Sequence, residues 1–99
     1  MQAAKANFGR YGKAFQEGLV QLIFQDRPFA DQITEVLDVN FLELEYLKIV
    51  LQKIMDYREK YQVHPSVAAF DTILNTELDS EEQVVQTQVR EYFSKVHNT

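Results

Sequence analysis

The chain has no cysteine and no tryptophan, only two prolines and three glycines among 99 residues. Without cysteine there is no disulfide framework, no thiolate metal site and no thiol nucleophile, so a small domain must be held by its apolar core. That usage fits a reducing, cytoplasmic compartment. A lysine-led apolar run of signal-peptide type is missing near Met1, as is an uninterrupted apolar stretch of about 18 residues, so neither secretion nor membrane spanning is expected. Acid is absent from the first sixteen residues, where Lys5, Arg10 and Lys13 stand alone. The balance then reverses: Asp26, Asp31, Glu35, Asp38, Glu43 and Glu45 face only Arg27, and the whole chain carries a net charge of -5. An acidic body of this kind opposes the phosphate attraction that underlies nucleic-acid binding, and direct nucleic-acid contact is not expected.

What is present is 45% apolar content arranged at helical spacing. Residues 1–12 read as a flexible basic leader, in which Phe8 and Tyr11 could dock on the body. Phe15, Leu19, Leu22 and Ile23 predict a helix over Lys13–Gln25. Gly18 weakens that helix by about 1 kcal/mol relative to alanine, and close approach of a neighbouring helix would account for it. Asp26 before Arg27-Pro28 is a capped restart, predicting a helix over Pro28–Leu37 that buries Phe29, Ile33, Val36 and Leu37. Asp38 and Asn40 supply a turn. The strongest periodicity follows, with Leu44, Leu47, Leu51, Ile54, Arg58 and Tyr61 in one stripe of a central helix that ends near Tyr61 or Gln62 ahead of Pro65. Ser66 then caps a helix over Val67–Thr76, and Ser80-Glu81-Glu82-Gln83 fits a capping box opening a fifth helix through Val85, Val89, Tyr92, Phe93 and Val96. No segment alternates as a strand does. The expectation is an all-α fold, a compact orthogonal bundle of about five helices, with a head over 13–78 and a C-terminal helix over 79–99.

The usual catalytic patterns do not assemble. In "GRYGKAF" two residues separate the glycines where a phosphate loop needs four, and Ala14 stands where a magnesium-binding hydroxyl belongs. His64 and His97 lie on different segments and read as a turn residue and a helix C-terminal cation. Glu81 and Glu82 suit the positive end of a helix, and Ser66 and Ser80 suit caps. Catalytic, cofactor-binding and metal-ligating residues are therefore not expected. A helix-turn-helix reading fails because Val67–Leu74 offers no Arg, Lys or Gln and carries Asp71. The aromatics point to protein interfaces instead, where such residues are enriched. Phe8, Tyr11, Val89, Tyr92, Phe93 and Val96 are the candidate contact residues, placed where a compact head would have to expose them.

The order of segments in "FQEGLVQLIFQDRPFADQITEVLDVNFL" and "EYLKIVLQKIMDYREKYQVHPSVAAFDTIL" resembles the N-terminal domain of DnaB-type replicative DNA helicases and their bacteriophage relatives. The resemblance covers about Phe15 to Leu78 and rests on apolar spacing and turns. It implies a domain without a motor that forms dimers within a ring collar, docks primase or another replisome protein, and leaves ATP hydrolysis to a separate domain. It also implies that residues 79–99 are either the last helix of the head or the start of a dimerisation hairpin. A free-standing helical adaptor is the alternative.

Overall fold

In the computed structural model, residues 11–97 are described. Among them the chain forms five α-helices and one short 3-10 turn, with no strand. The helices are α1 (Gly12–Gln25), α2 (Arg27–Ile33), α3 (Glu45–Tyr61), α4 (Val67–Glu77) and α5 (Gln83–His97), and the 3-10 turn is Val39–Phe41. The radius of gyration of 13.2 Å is that of a compact chain of this length.

Local chemistry sets most of the boundaries. Asp26 Oδ1 accepts from the Phe29 amide at 3.0 Å and starts α2, and Asp38 Oδ1 accepts from the Asn40 amide at 2.8 Å to start the 3-10 turn. Ser66 Oγ accepts from the Ala69 amide at 3.1 Å and starts α4. The end of α3 is made by Gln62, which adopts left-handed geometry at φ 60°, three residues before Pro65. Gly12 opens α1 with φ 84°, a conformation glycine adopts without a Cβ clash.

Several boundaries differ from expectation. Helix α2 stops at Ile33 and the chain turns through Thr34–Val36, so Leu37 is buried while Val36 is 72% exposed. Helix α5 begins at Gln83, where the Glu82 carbonyl accepts the first intrahelical bond from Gln86, and Ser80 lies two residues too early to be its cap. The Gln86 side chain reaches back to the Glu81 carbonyl at 2.8 Å.

The core runs through all five helices. Val20 and Ile23 of α1, Ala30 of α2, Leu47, Leu51 and Ile54 of α3, and Phe70 of α4 are fully buried, joined by Val89 of α5. Phe24, Phe70 and Phe93 form a closed aromatic triangle, with centroids 5.3, 5.7 and 5.3 Å apart and tilted or edge-on rings. Helix α3 packs on α1 and α5, and α1 packs on α2. Helix α5 thus packs into the same core as the other helices.

Gly18 is the exception to the expected packing. Among the described residues a Cβ built there meets nothing within 4 Å, so no described helix approaches it. Gly18→Ala should raise unfolding free energy by about 0.5–1 kcal/mol in dilute solution, read by urea denaturation. Phe93→Asp places a charge among Phe24 and Phe70 and should lower stability by on the order of 4 kcal/mol or more, visible as lost helical circular dichroism.

Candidate interaction surface

The six residues expected at an interface fall into three groups. Phe8 lies outside the described residues, as does the side chain of His97. Tyr11 is 56% exposed, its ring 4.9 Å from that of Phe15. Val89, Tyr92, Phe93 and Val96 are buried, which corrects the expectation that the head exposes them. The apolar side of α5 is covered by α3 and by the aromatic triangle, and Tyr92 also donates its hydroxyl to the Glu17 carbonyl at 2.6 Å.

Exposed apolar side chains occur at Val36, Tyr61, Val63, Val67 and Val84, and three more, Tyr11, Phe15 and Leu22, belong to α1 and its N-cap. This helix has two apolar stripes on opposite sides, as its 3.6-residue period requires. Gln16, Val20, Ile23 and Phe24 face the core. Tyr11, Phe15 and Leu22 face outward, the last two both 43% exposed, and they flank the open position at Gly18. Ala14, Gln21 and Gln25 complete the outward arc, so it contains no charge. The two charged residues of α1, Lys13 and Glu17, sit to the side and line a shallow pocket with Tyr46 and Tyr92. Interface centres are depleted of charge and enriched in aromatics, and this arc has both properties. Sequence spacing grouped Phe15, Leu19, Leu22 and Ile23 as one helical series; the missed signal is that α1 is apolar on both sides.

Gln16 explains how α1 holds the central helix. Its buried Oε1 accepts from the Glu43 amide at 2.8 Å and the Leu44 amide at 3.3 Å, at the entry to α3, where Leu44 has no capping side chain. Beside it, Glu17 Oε2 accepts from the Tyr46 hydroxyl at 2.5 Å and Oε1 pairs with Lys95 at 3.0 Å. Burial alone would raise the Glu17 pKa, but the bonds from Tyr46 and Lys95 and the charges of Lys95 and Lys13 together hold it below the usual carboxylate range. Burial, reinforced by the Glu17 carboxylate, pushes the Tyr46 phenol up, and burial with the Glu17 charge does the same for Tyr92. This arrangement fixes the Glu17 carboxylate between the Tyr46 phenol and the Lys95 ammonium, while Tyr92 holds the backbone carbonyl of the same residue.

A second polar cluster occupies the break after α3. Arg58 Nη1 lies 2.8 Å from His64 Nδ1, and since arginine only donates, Nδ1 is the acceptor. The hydrogen therefore sits on Nε2 and donates to the Phe24 carbonyl at 2.8 Å, in the last turn of α1. Arg58 Nη2 also donates to Asp31 Oδ1 at 2.6 Å, a hydrogen bond that lowers the Asp31 pKa. The turn thereby ties together α1, α2 and α3. A groove of about 410 Å³ runs between α3 and α4, with Tyr57, Tyr61 and Ile73 in its wall and the Lys53–Glu77 ion pair across it.

Among the described residues, no three His, Asp or Glu side chains gather as a metal site would require, and no helix is long and apolar enough to cross a membrane. No protein-family model matches the chain, and no curated protein and no solved structure matches it.

Glu17 yields a pH prediction. Its folded pKa is depressed, so its stabilising contribution is present above the unfolded pKa and is lost as pH falls through the folded value. Wild-type stability should fall between neutral pH and about pH 3, and Glu17→Gln should fall less steeply over that interval. Urea midpoints measured across the range check this; parallel curves would remove Glu17 as a contributor.

Proposed function

We propose that the chain is a non-catalytic helical module for protein association, acting as the N-terminal domain of a DnaB-type replicative helicase acts. In that role it joins copies of itself in a ring collar and docks primase or another replisome protein, in the cytoplasm of a bacterial cell or a phage-infected host. The observation that carries the association part is the charge-free arc of α1, where Tyr11, Phe15 and Leu22 are exposed on a surface otherwise rich in charge. The helicase part is supported by the segment order, in which a short turn carrying His64 and Pro65 separates the long α3 from the apolar α4.

A second reading, a free-standing helical adaptor, is favoured by one feature. Helix α5 spends its apolar face in the head core, so it presents no apolar face for a projecting dimerisation hairpin.

Light scattering over a concentration series, with calorimetric titration against a purified primase C-terminal domain, separates these readings. The helicase module should gain mass above the monomer with concentration or bind the primase domain. A chain that stays monomeric and does not bind primase loses the helicase reading. ATP turnover abolished by a substitution in this chain would overturn the non-catalytic assignment.

A further inference from the structure

We infer that the groove between α3 and α4 receives a short amphipathic helix of another protein, one that carries a glutamate one turn before a lysine and lies antiparallel to α3. The inference deepens the association reading above, on which it rests, by giving the docked partner a seat and a chemistry.

The groove is a gap in the helix packing. Helix α3 packs along α1 and α5 but not along α4. The two helices run antiparallel, joined through residues 62–66 at one end and bridged by Lys53 and Glu77 at the other. The α3 wall extends from Lys53 to Tyr61, about 12 Å or two helical turns, beside a space of about 410 Å³.

The α4 wall is uncharged from Ala69 through Thr72 and Ile73 to Thr76. Thr72 donates its hydroxyl to the Ala68 carbonyl at 3.2 Å, and Thr76 donates to the Thr72 carbonyl at 3.0 Å. Neither hydroxyl therefore needs a partner from an apolar occupant. Across the groove the Tyr57 and Tyr61 rings are 4.6 Å apart, and Tyr61 is half-exposed. Aromatics so placed are the usual anchors of a protein contact.

Charge selects the occupant. Asp56 and Lys60 are one turn apart on α3, a spacing at which opposite charges commonly pair. Here they do not: Asp56 Oδ1 accepts from Gln52 Nε2 at 2.8 Å, Lys60 Nζ lies 5.3 Å from the Tyr61 ring centre, and neither forms an ion pair among the described residues. An occupant thus meets a cation near the C-terminal end of α3 and an anion one turn below it. A carboxylate set against Lys60 and an ammonium against Asp56 complement both. Glutamate before lysine is the more stable order on a helix, and it places that helix antiparallel to α3.

The backbone selects a helix over an extended segment. Both walls are helices whose amides and carbonyls bond internally, so an extended segment would leave its own unpaired, whereas a helix satisfies itself. The Lys53–Glu77 pair closes the lower end, and an occupant reaching it must desolvate it, which confines the contact to about two turns and keeps affinity modest.

Because the chain has no tryptophan, indole fluorescence of a peptide reports its binding without background. The first probe is a blocked alanine-based helix of about 16 residues, with tryptophan and leucine one turn apart on one face and glutamate one turn before lysine beside them. The second exchanges the glutamate and lysine, and the third has proline at its centre to break the helix. The full chain should bind the first probe about fivefold or more tighter than either of the others. Asp56→Lys combined with Lys60→Asp, both on exposed side chains and leaving net charge unchanged, should reverse the preference between the first two. Tyr61→Ala should weaken the first probe by about tenfold with native circular dichroism, since Tyr61 lies outside the core.

Equal binding of the first two probes, or a preference unchanged by the charge exchange, overturns the inference. So does a proline probe that binds as tightly as the first, which makes the occupant extended. Self-association weakened by Tyr61→Ala, without probe binding, makes the occupant a second copy and also overturns it. Self-association or primase binding that both variants leave untouched overturns the groove and leaves the association reading standing, with its surface elsewhere. A chain that binds no probe, no primase domain and no second copy ends both.

Discussion

Phe24, Phe70 and Phe93 come from α1, α4 and α5, and their mutual contact is the constraint on which the architecture turns. None of the three helices is long enough to be stable alone in water, and each gains its helicity from the surface it buries. Because the rings tilt or meet edge to face, the triangle fixes orientation as well as distance. Helix α3 then fills the remaining side with Leu47, Leu51 and Ile54, and the head is closed.

With the core closed, the helix ends remain as a polar problem, since each leaves backbone groups without intrahelical partners. Two solutions coexist here. Asp26, Asp38 and Ser66 cap their own elements from within two or three residues. Elsewhere the partner comes from a different helix. Gln16 serves the start of α3, His64 the end of α1, Arg90 the Leu74 carbonyl at the end of α4, and Gln25 the Val96 carbonyl at the end of α5. These bonds cannot form until the core has placed the helices, so they couple local order to tertiary packing.

The same division explains what could be read from the sequence. A local cap has a sequence signature, because donor and acceptor are a fixed few residues apart; hence the starts of α2 and α4 were legible, and so was the break before Pro65. A remote cap has none. Nothing about Gln16 predicts that it reaches residues 43 and 44, and nothing about Arg58 in an apolar stripe predicts bonds to His64 and Asp31. Periodicity has a related blindness: it finds that a helix has an apolar side but not which neighbour covers it. For α5 the stripe was read as a docking face and is core. For α1 Phe15, Leu19, Leu22 and Ile23 were read as a single helical series, yet Ile23 is buried while Phe15 and Leu22 are exposed.

These two reversals have one cause. Helix α1 carries apolar residues on both sides, and the head can accept only one of them. The side with Val20, Ile23 and Phe24 is taken, because only that side brings Phe24 to Phe70 and Phe93 and carries Gln16 to the entry of α3. Turning the helix to bury Phe15 and Leu22 would instead expose Ile23 and break the Gln16 bonds. The chain therefore leaves Phe15 and Leu22 partly exposed on an uncharged arc and flanks it with Lys13 and Glu17, which line the pocket with Tyr46, Tyr92 and Lys95. Once α5 is committed to the core, the apolar surfaces left among the described residues include the outer arc of α1 and the groove between α3 and α4. The groove is bridged by the Lys53–Glu77 ion pair, which a partner must desolvate or displace; the arc of α1 asks for no such loss.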